Sequence, residues 1–151
     1  MNSFEANRQT RRNLLKVING LTDEQLVTIP QGFNNNILWN IGHVCVTQQA
    51  LQYRLSGNPS NMPENLTNAY KKGTSASDID VTDIHTFKKL LVSQIDDLQA
   101  DYENGLFKEF TVYPTSYGIT LESIDDAIQF NLLHEALHLG YVMALKRSLG
   151  Q

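Results

Sequence analysis

The stretch from Asp125 to Arg147, DDAIQFNLLHEALHLGYVMALKR, decides the fold. It begins with two acidic residues and ends with two basic ones, the arrangement that a helix dipole favours. Between them the apolar residues supply a broad surface at helical spacing, and Gly150 follows as a stop. The sequence therefore predicts a long, largely buried last helix that starts near residues 120–123.

Three earlier segments also have helical spacing of their apolar residues. The first runs from Ser3 to about Asn19, the second from Asn36 to Ser56, and the third from Thr82 or Asp83 to the stop at Asn104-Gly105. The second segment carries two apolar stripes side by side, so we expect it to be buried over much of its circumference.

The connections between these helices differ in length. Residues 22–25 have capping-box spacing and predict a short helical turn. Residues 57–77 are polar and rich in turn residues, and we expect a long connection without a core element. Residues 106–120 predict a loop with an extended Phe110–Tyr113 stretch. The expected fold is thus an all-α four-helix bundle, a single domain over residues 1–151 whose long loops permit a crossing topology.

Composition and charge exclude several classes of partner. Twelve Lys and Arg against sixteen Asp and Glu give a net charge of −4, which argues against a nucleic-acid partner. The basic doublets, among them Arg11-Arg12, are expected on solvated faces. No stretch is apolar enough for a membrane span. The single cysteine, Cys45, and the absence of a signal-peptide pattern favour a reducing, cytoplasmic location.

The last helix contains the string His134-Glu-Ala-Leu-His138. Two histidines four residues apart on a helix aim their imidazoles at a common point, which makes them a ready pair of metal ligands. The string is also the H-E-x-x-H pattern of zinc proteases, in which the glutamate, here Glu135, acts as general base. Residues 139–151 contain no Glu, Asp or His, so the downstream third ligand of those proteases is lacking.

A third ligand must therefore come from upstream. His43 is the histidine that lies within an apolar helical stripe elsewhere in the chain, so we predict that the second helix faces the last one. The alternative is that each histidine is a hydrogen-bonded core residue, which would require a separate set of partners for each buried imidazole. His85 is interpreted as a surface residue, and Cys45 should point away from His43.

Several polar residues lie one helical turn from these histidines and are candidates to orient them: Asn40, Thr47, Asn131 and Glu135. A buried Glu135 would have a physical role beside a metal ligand, and an exposed Glu135 is equally compatible with the sequence. Tyr53 and Tyr141 are further candidates for moving protons near the site.

Two motifs carry a resemblance to a known family. Trp39-Asn-Ile-Gly-His43 on the second helix and His134-Glu-Ala-Leu-His138-Leu-Gly140 in the last resemble the DinB-like metal-binding bundles, and the match follows the whole chain in helix order. The resemblance implies an up-down-down-up bundle in which three histidines hold nickel, zinc or a related ion. It also implies possible homodimers and kinship with bacillithiol and mycothiol S-transferases.

Two functions follow as hypotheses. The first is an enzyme: a divalent ion on His43, His134 and His138, with nickel or zinc ahead of iron or manganese, would keep coordination positions open for a thiol that attacks a small electrophile. Glu135 is the candidate catalytic residue, and a metal-dependent hydrolase using Glu135 is a further option. The second is a non-catalytic bundle that the metal stabilises, or a stress-linked binding module.

Overall fold

The computed structural model describes residues 2–151, except for the side chain of residue 78, and it is mostly helical. Its six α-helices, in chain order, are α1 Ser3–Ile18, α2 Asp23–Val27, α3 Ile37–Gln49, α4 Glu64–Tyr70, α5 Asp83–Glu103 and α6 Ile124–Ser148. A short hairpin of β1 Tyr113–Pro114 and β2 Thr120–Leu121 precedes α6. The predicted all-α class is confirmed.

The four long helices pack so that the first two in sequence lie on opposite sides of the bundle. α1 packs against α6 and α5, and α3 packs against the same two helices. The order around the bundle is therefore α1, α6, α3, α5. Consecutive helices α1 and α3 are not the main neighbours of each other, as the long connections allow. The up-down-down-up direction of the helices stays a prediction.

Local capping explains where the helices begin. The side chain of Asn36 accepts a hydrogen bond from the backbone N–H of Trp39 at the start of α3, and Ser123 accepts one from Asp126 at the start of α6. The capping box of Thr22 and Gln25 is formed at α2, as its spacing predicts.

The second predicted helix changes geometry before it ends. α3 is regular to Gln49, and Ala50–Arg54 then form a π-helical turn. Such turns place one extra residue in a helix and are frequent at functional sites. This one lies beside the cavity described below, where Ala50, Leu51 and Arg54 contribute lining atoms.

The prediction of a coreless connection over residues 57–77 is wrong. This segment contains α4, and four of its side chains are buried in the main hydrophobic core: Met62, Leu66, Tyr70 and Ala76. Tyr70 is fully buried because Gly42 on α3 leaves room for its ring, and a side chain at Gly42 would overlap it. A few well-placed apolar residues were enough to anchor a largely polar segment.

The region before α6 is mostly loop, as expected, but of the predicted extended stretch Phe110–Tyr113 only Tyr113 lies in a strand. Tyr113 pairs with Leu121 and Pro114 with Thr120 in an antiparallel register. Leu121 is fully buried against Leu51 and Ala127, so the hairpin is fixed to the bundle.

Within the part of the chain that the structure describes, none of the helices combines the length and the apolar character that crossing a lipid bilayer requires.

Candidate metal centre

Helices α3 and α6 bring three histidines together, as the sequence predicts. His134 and His138 lie one turn apart on α6 with ring centroids 4.6 Å apart, and His43 on α3 lies 5.3 and 5.1 Å from them. One ligand nitrogen of each residue lies within 4.8 Å of the other two. We call these three residues the histidine cluster. Its nitrogens are arranged so that one cation can contact all three.

The ring of His43 is fixed on both of its edges. Its Nδ1–H donates a hydrogen bond to the Tyr70 carbonyl oxygen at 2.8 Å, so its Nε2 carries the lone pair that a metal could use. The indole of Trp39 stacks on the same ring at 4.7 Å. The Thr47 hydroxyl lies 3.2 Å from Nε2 and donates to it. His43 is thereby held in one tautomer and one orientation.

A second chain of hydrogen bonds orients His138. Its Nδ1 lies 2.8 Å from the Asn40 side-chain oxygen, which accepts a hydrogen bond from the ring N–H. The amide nitrogen of Asn40 donates to the Asn36 carbonyl at 2.8 Å, and that bond fixes which end of the amide faces the histidine. His138 is therefore also left with a free Nε2, which is the arrangement usual for metal-binding imidazoles.

His134 differs from the other two members of the cluster. Its Nδ1 is buried and has no hydrogen-bond partner among the described residues. A buried polar atom without a partner costs about 1–3 kcal/mol, so such atoms usually have a ligand, an ion or a water. Three imidazoles with ligand nitrogens so close together fit a single metal ion.

The electrostatics of the cluster favour neutral rings. Burial, followed by the charges of the other two histidines, lowers the pKa of His134 to about 3. Burial, followed by His43, lowers the pKa of His138 to about 4. Burial also lowers the pKa of His43; the hydrogen bond to the Tyr70 carbonyl opposes this shift, and the charge of Lys72 adds to it. Neutral imidazoles are the form that binds metal, so at neutral pH protons do not compete for the cluster.

A cavity of about 340 Å³ opens beside the cluster and is lined by His43 and His134. Five of its lining residues are apolar, and we call them the apolar floor: Val46, Ala50, Leu51, Leu55 and Phe130. Four residues with hydroxyl groups also line it, namely Thr47, Tyr113, Thr115 and Ser116. The cavity gives a small molecule access to one side of the cluster.

Glu135 points to a different part of the bundle. Its carboxylate is fully buried and accepts three hydrogen bonds from Arg11 on α1, the shortest at 2.7 Å, and one from Asn131 at 2.7 Å. Arg11 is itself 1% exposed and also donates to Gln94 on α5. The expectation that the Arg11-Arg12 doublet lies on a solvated face is therefore wrong for Arg11. Glu135 joins α6 to α1 and is not among the residues that line the cavity.

The remaining candidates lie outside the cluster. The Tyr53 hydroxyl donates to Asp101 on α5 at 2.7 Å, and Tyr141 packs edge-on against Phe33. Tyr141 also borders a second cavity, of about 330 Å³, that is lined by His138 and Asn40. Cys45 is buried in the core and His85 is exposed, as expected. A role of Tyr53 or Tyr141 in proton transfer stays a prediction.

Sequence reasoning missed the contribution of α4. Tyr70 provides the carbonyl oxygen that orients His43, and Lys71 and Lys72 follow it at the mouth of the cavity. The available signals were the helical spacing of Leu66 and Tyr70 and the glycine at position 42. The role of the Tyr70 backbone carbonyl, by contrast, cannot be inferred from residue identity, because every residue has such a carbonyl.

Comparison with known families agrees with this geometry. The chain matches the DinB superfamily over residues 6–142, a range that holds all four long helices in whole or in large part and the complete histidine cluster. No curated protein shows a significant sequence match to the chain. A helical bundle with three histidines on its second and last long helices, together with this match, establishes that the chain belongs to the DinB superfamily.

Proposed function

We propose that this protein is a metal-dependent enzyme that transfers a small thiol to an electrophile at the histidine cluster. The observation that carries the proposal is the cavity of about 340 Å³ that reaches His43 and His134. A purely structural metal site is closed on all sides by protein ligands, whereas a catalytic site keeps a position open. Here three protein ligands and an adjoining cavity leave such a position.

The residues of the chain would hold the ion in defined ways. His43 and His138 offer Nε2 because their Nδ1–H groups are bonded to Tyr70 and Asn40, and His134 has a buried nitrogen without a partner. Nickel and zinc are the first candidates, followed by iron and manganese. A bound ion of this kind supplies Lewis acidity, which lowers the pKa of a thiol and keeps it as thiolate at neutral pH.

The proposed reaction is a substitution that needs neither an oxidant nor a reductant. The thiol sulfur forms a bond to an electrophilic carbon, the bond from that carbon to its leaving group breaks, and the leaving group departs with the bonding electrons. The thiol proton passes to solvent at the cavity mouth. The apolar floor around Phe130 and Leu51 would hold the carbon skeleton of a substrate and exclude water from it.

The contacts of Glu135 give no support to a hydrolase in which it is the general base. Its carboxylate is saturated by Arg11 and Asn131 and is directed toward α1. The second function that an observation favours is a structural one. Because His43 lies on α3 and the other two ligands on α6, a bound ion would tie these two helices together whether or not a reaction occurs.

The test uses protein reloaded with cobalt(II), whose visible spectrum reports on ligands, and then with the native metal. We expect bacillithiol, mycothiol, glutathione or coenzyme A to shift the spectrum, and the thiol that does so to be conjugated to a fluorogenic alkyl halide. His134→Ala should abolish both effects, and the surface control His85→Ala should keep both. Full metal loading with no spectral shift and no conjugation for any of these thiols would favour the structural function.

A further inference from the structure

The mouth of the cavity is positively charged although the protein as a whole is acidic. Three of the lining residues are cations, namely Arg54, Lys71 and Lys72, and none is Asp or Glu. The chain carries sixteen acidic side chains against twelve basic ones, so the positive charge of the cavity lining is opposite to the net charge of the protein. We call these three residues the cationic rim. A cleft lined by one sign of charge attracts small ligands of the opposite sign.

The rim lacks carboxylate partners in the part of the chain that the structure describes. The ion pairs there involve Arg8, Arg11 and Arg12, and no rim residue takes part in one. The one hydrogen bond recorded for a rim side chain joins the Lys71 ammonium to the Asn68 amide at 3.0 Å. The charge of Lys72 acts on His43, so at least one rim residue is electrostatically coupled to the cluster.

Two separate elements bring the rim together. Arg54 is the last residue of the π-helical turn, and Lys71 and Lys72 directly follow α4. The same two elements provide Ala50 and Leu51 of the apolar floor and the Tyr70 carbonyl bound to His43. The cationic rim, the apolar floor and two histidines of the cluster therefore line one cavity.

We propose that the ligand of this cavity is a small organic anion, with its carboxylate on the cationic rim and its apolar body on the floor. This inference deepens the proposed function, on which it rests, by assigning a charge to one of the two reactants. Ammonium and guanidinium groups bind a carboxylate through charge-assisted hydrogen bonds, and screening by salt weakens the part that acts at longer range.

The test compares three probes of one chain length: hexanoate, hexanol and hexylamine. Binding is measured by ligand-observed NMR on the metal-loaded protein and again after chelation, because a preference set by the rim must survive removal of the metal. Hexanoate should bind at least about tenfold more tightly than hexanol, and hexylamine most weakly. Added salt should reduce the difference.

The rim variant is Arg54→Gln with Lys72→Gln, and its matched control is Lys88→Gln with Lys89→Gln on exposed positions of α5. The rim variant should lose the preference for hexanoate and keep its metal content, and the control should change neither. Equal binding of hexanoate and hexanol, or a preference that persists in the rim variant, overturns the inference. Because binding is read without thiol transfer, loss of transfer activity alone would count only against the proposed function.

Discussion

The buried ion pair between Arg11 and Glu135 makes a specific prediction about stability. Glu135→Gln keeps the size and shape of the side chain and removes its charge. If the amide nitrogen takes the place of Oε2, the hydrogen bond from Arg11 Nε to that oxygen is lost, and two N–H donors then face each other there. The two hydrogen bonds from Arg11 to Oε1 can remain. The guanidinium, 1% exposed, would be left without a counter-charge.

The expected loss in the free energy of unfolding is about 3–5 kcal/mol, the cost of breaking a buried ion pair from one side. Gln94 and the Leu90 carbonyl still accept hydrogen bonds from Arg11 at 3.0 and 3.3 Å, which favours the lower half of that range. Urea unfolding followed by circular dichroism should show a midpoint lower by roughly 2 M.

Two further variants isolate the origin of the effect. Asp96→Asn removes one partner of the surface ion pair to Arg8, and we expect only a small fraction of the Glu135 effect because water screens that pair. Arg11→Met combined with Glu135→Leu should recover most of the lost stability, since the uncompensated charge is gone. If Glu135→Gln keeps its urea midpoint and metal content while activity is lost, Glu135 acts in chemistry and our structural reasoning is refuted.

Further predictions concern the cluster and its supports. With the metal removed by a chelator, the free energy of unfolding should fall as the pH drops below about 6.5, by up to about 1.4 kcal/mol per pH unit for each cluster histidine. The reason is that the lowered pKa values of these histidines make the folded state bind fewer protons than the unfolded state. Urea midpoints measured across that pH range check this, and a flat profile contradicts it. Alanine at any cluster histidine should reduce bound metal well below one ion per chain after chelation and reloading, while His85→Ala should leave it unchanged. Asn40→Leu should weaken metal affinity about 10–100-fold by releasing His138, and Asn40→Asp should restore part of it. Gly42→Ala should lower both the melting temperature and metal affinity, because its methyl group displaces the ring of Tyr70; unchanged values would show that α4 does not support the site.

The four long helices were predictable because their signals are local. Caps such as Asn36 and Ser123 act within one turn, and apolar spacing along a helix needs no knowledge of distant residues. The short helix α4 was missed because seven residues are marginal as an isolated helix and depend on tertiary packing. Here that packing is the insertion of Tyr70 beside Gly42, which a count of apolar residues does not detect.

The histidine cluster was predictable for a similar reason. The spacing of His134 and His138 is a property of one helix, and His43 followed by elimination. The orientation of Glu135 was not predictable, since α6 packs against both α1 and α3 and the sequence does not say which face meets which helix. Its counter-ion, Arg11, sits in a basic doublet of the kind that usually lies in water.

The division of the cluster between two helices has a thermodynamic consequence. His134 and His138 are available wherever α6 is helical, whereas His43 reaches them only when α3 is docked. The effective concentration of the third imidazole is therefore set by the docking equilibrium, and by linkage a bound ion favours docking by the same free energy. Metal affinity becomes a measure of how firmly α3 and α6 are held together. Substitutions that loosen this packing, even far from the cluster, should weaken metal binding without altering a ligand.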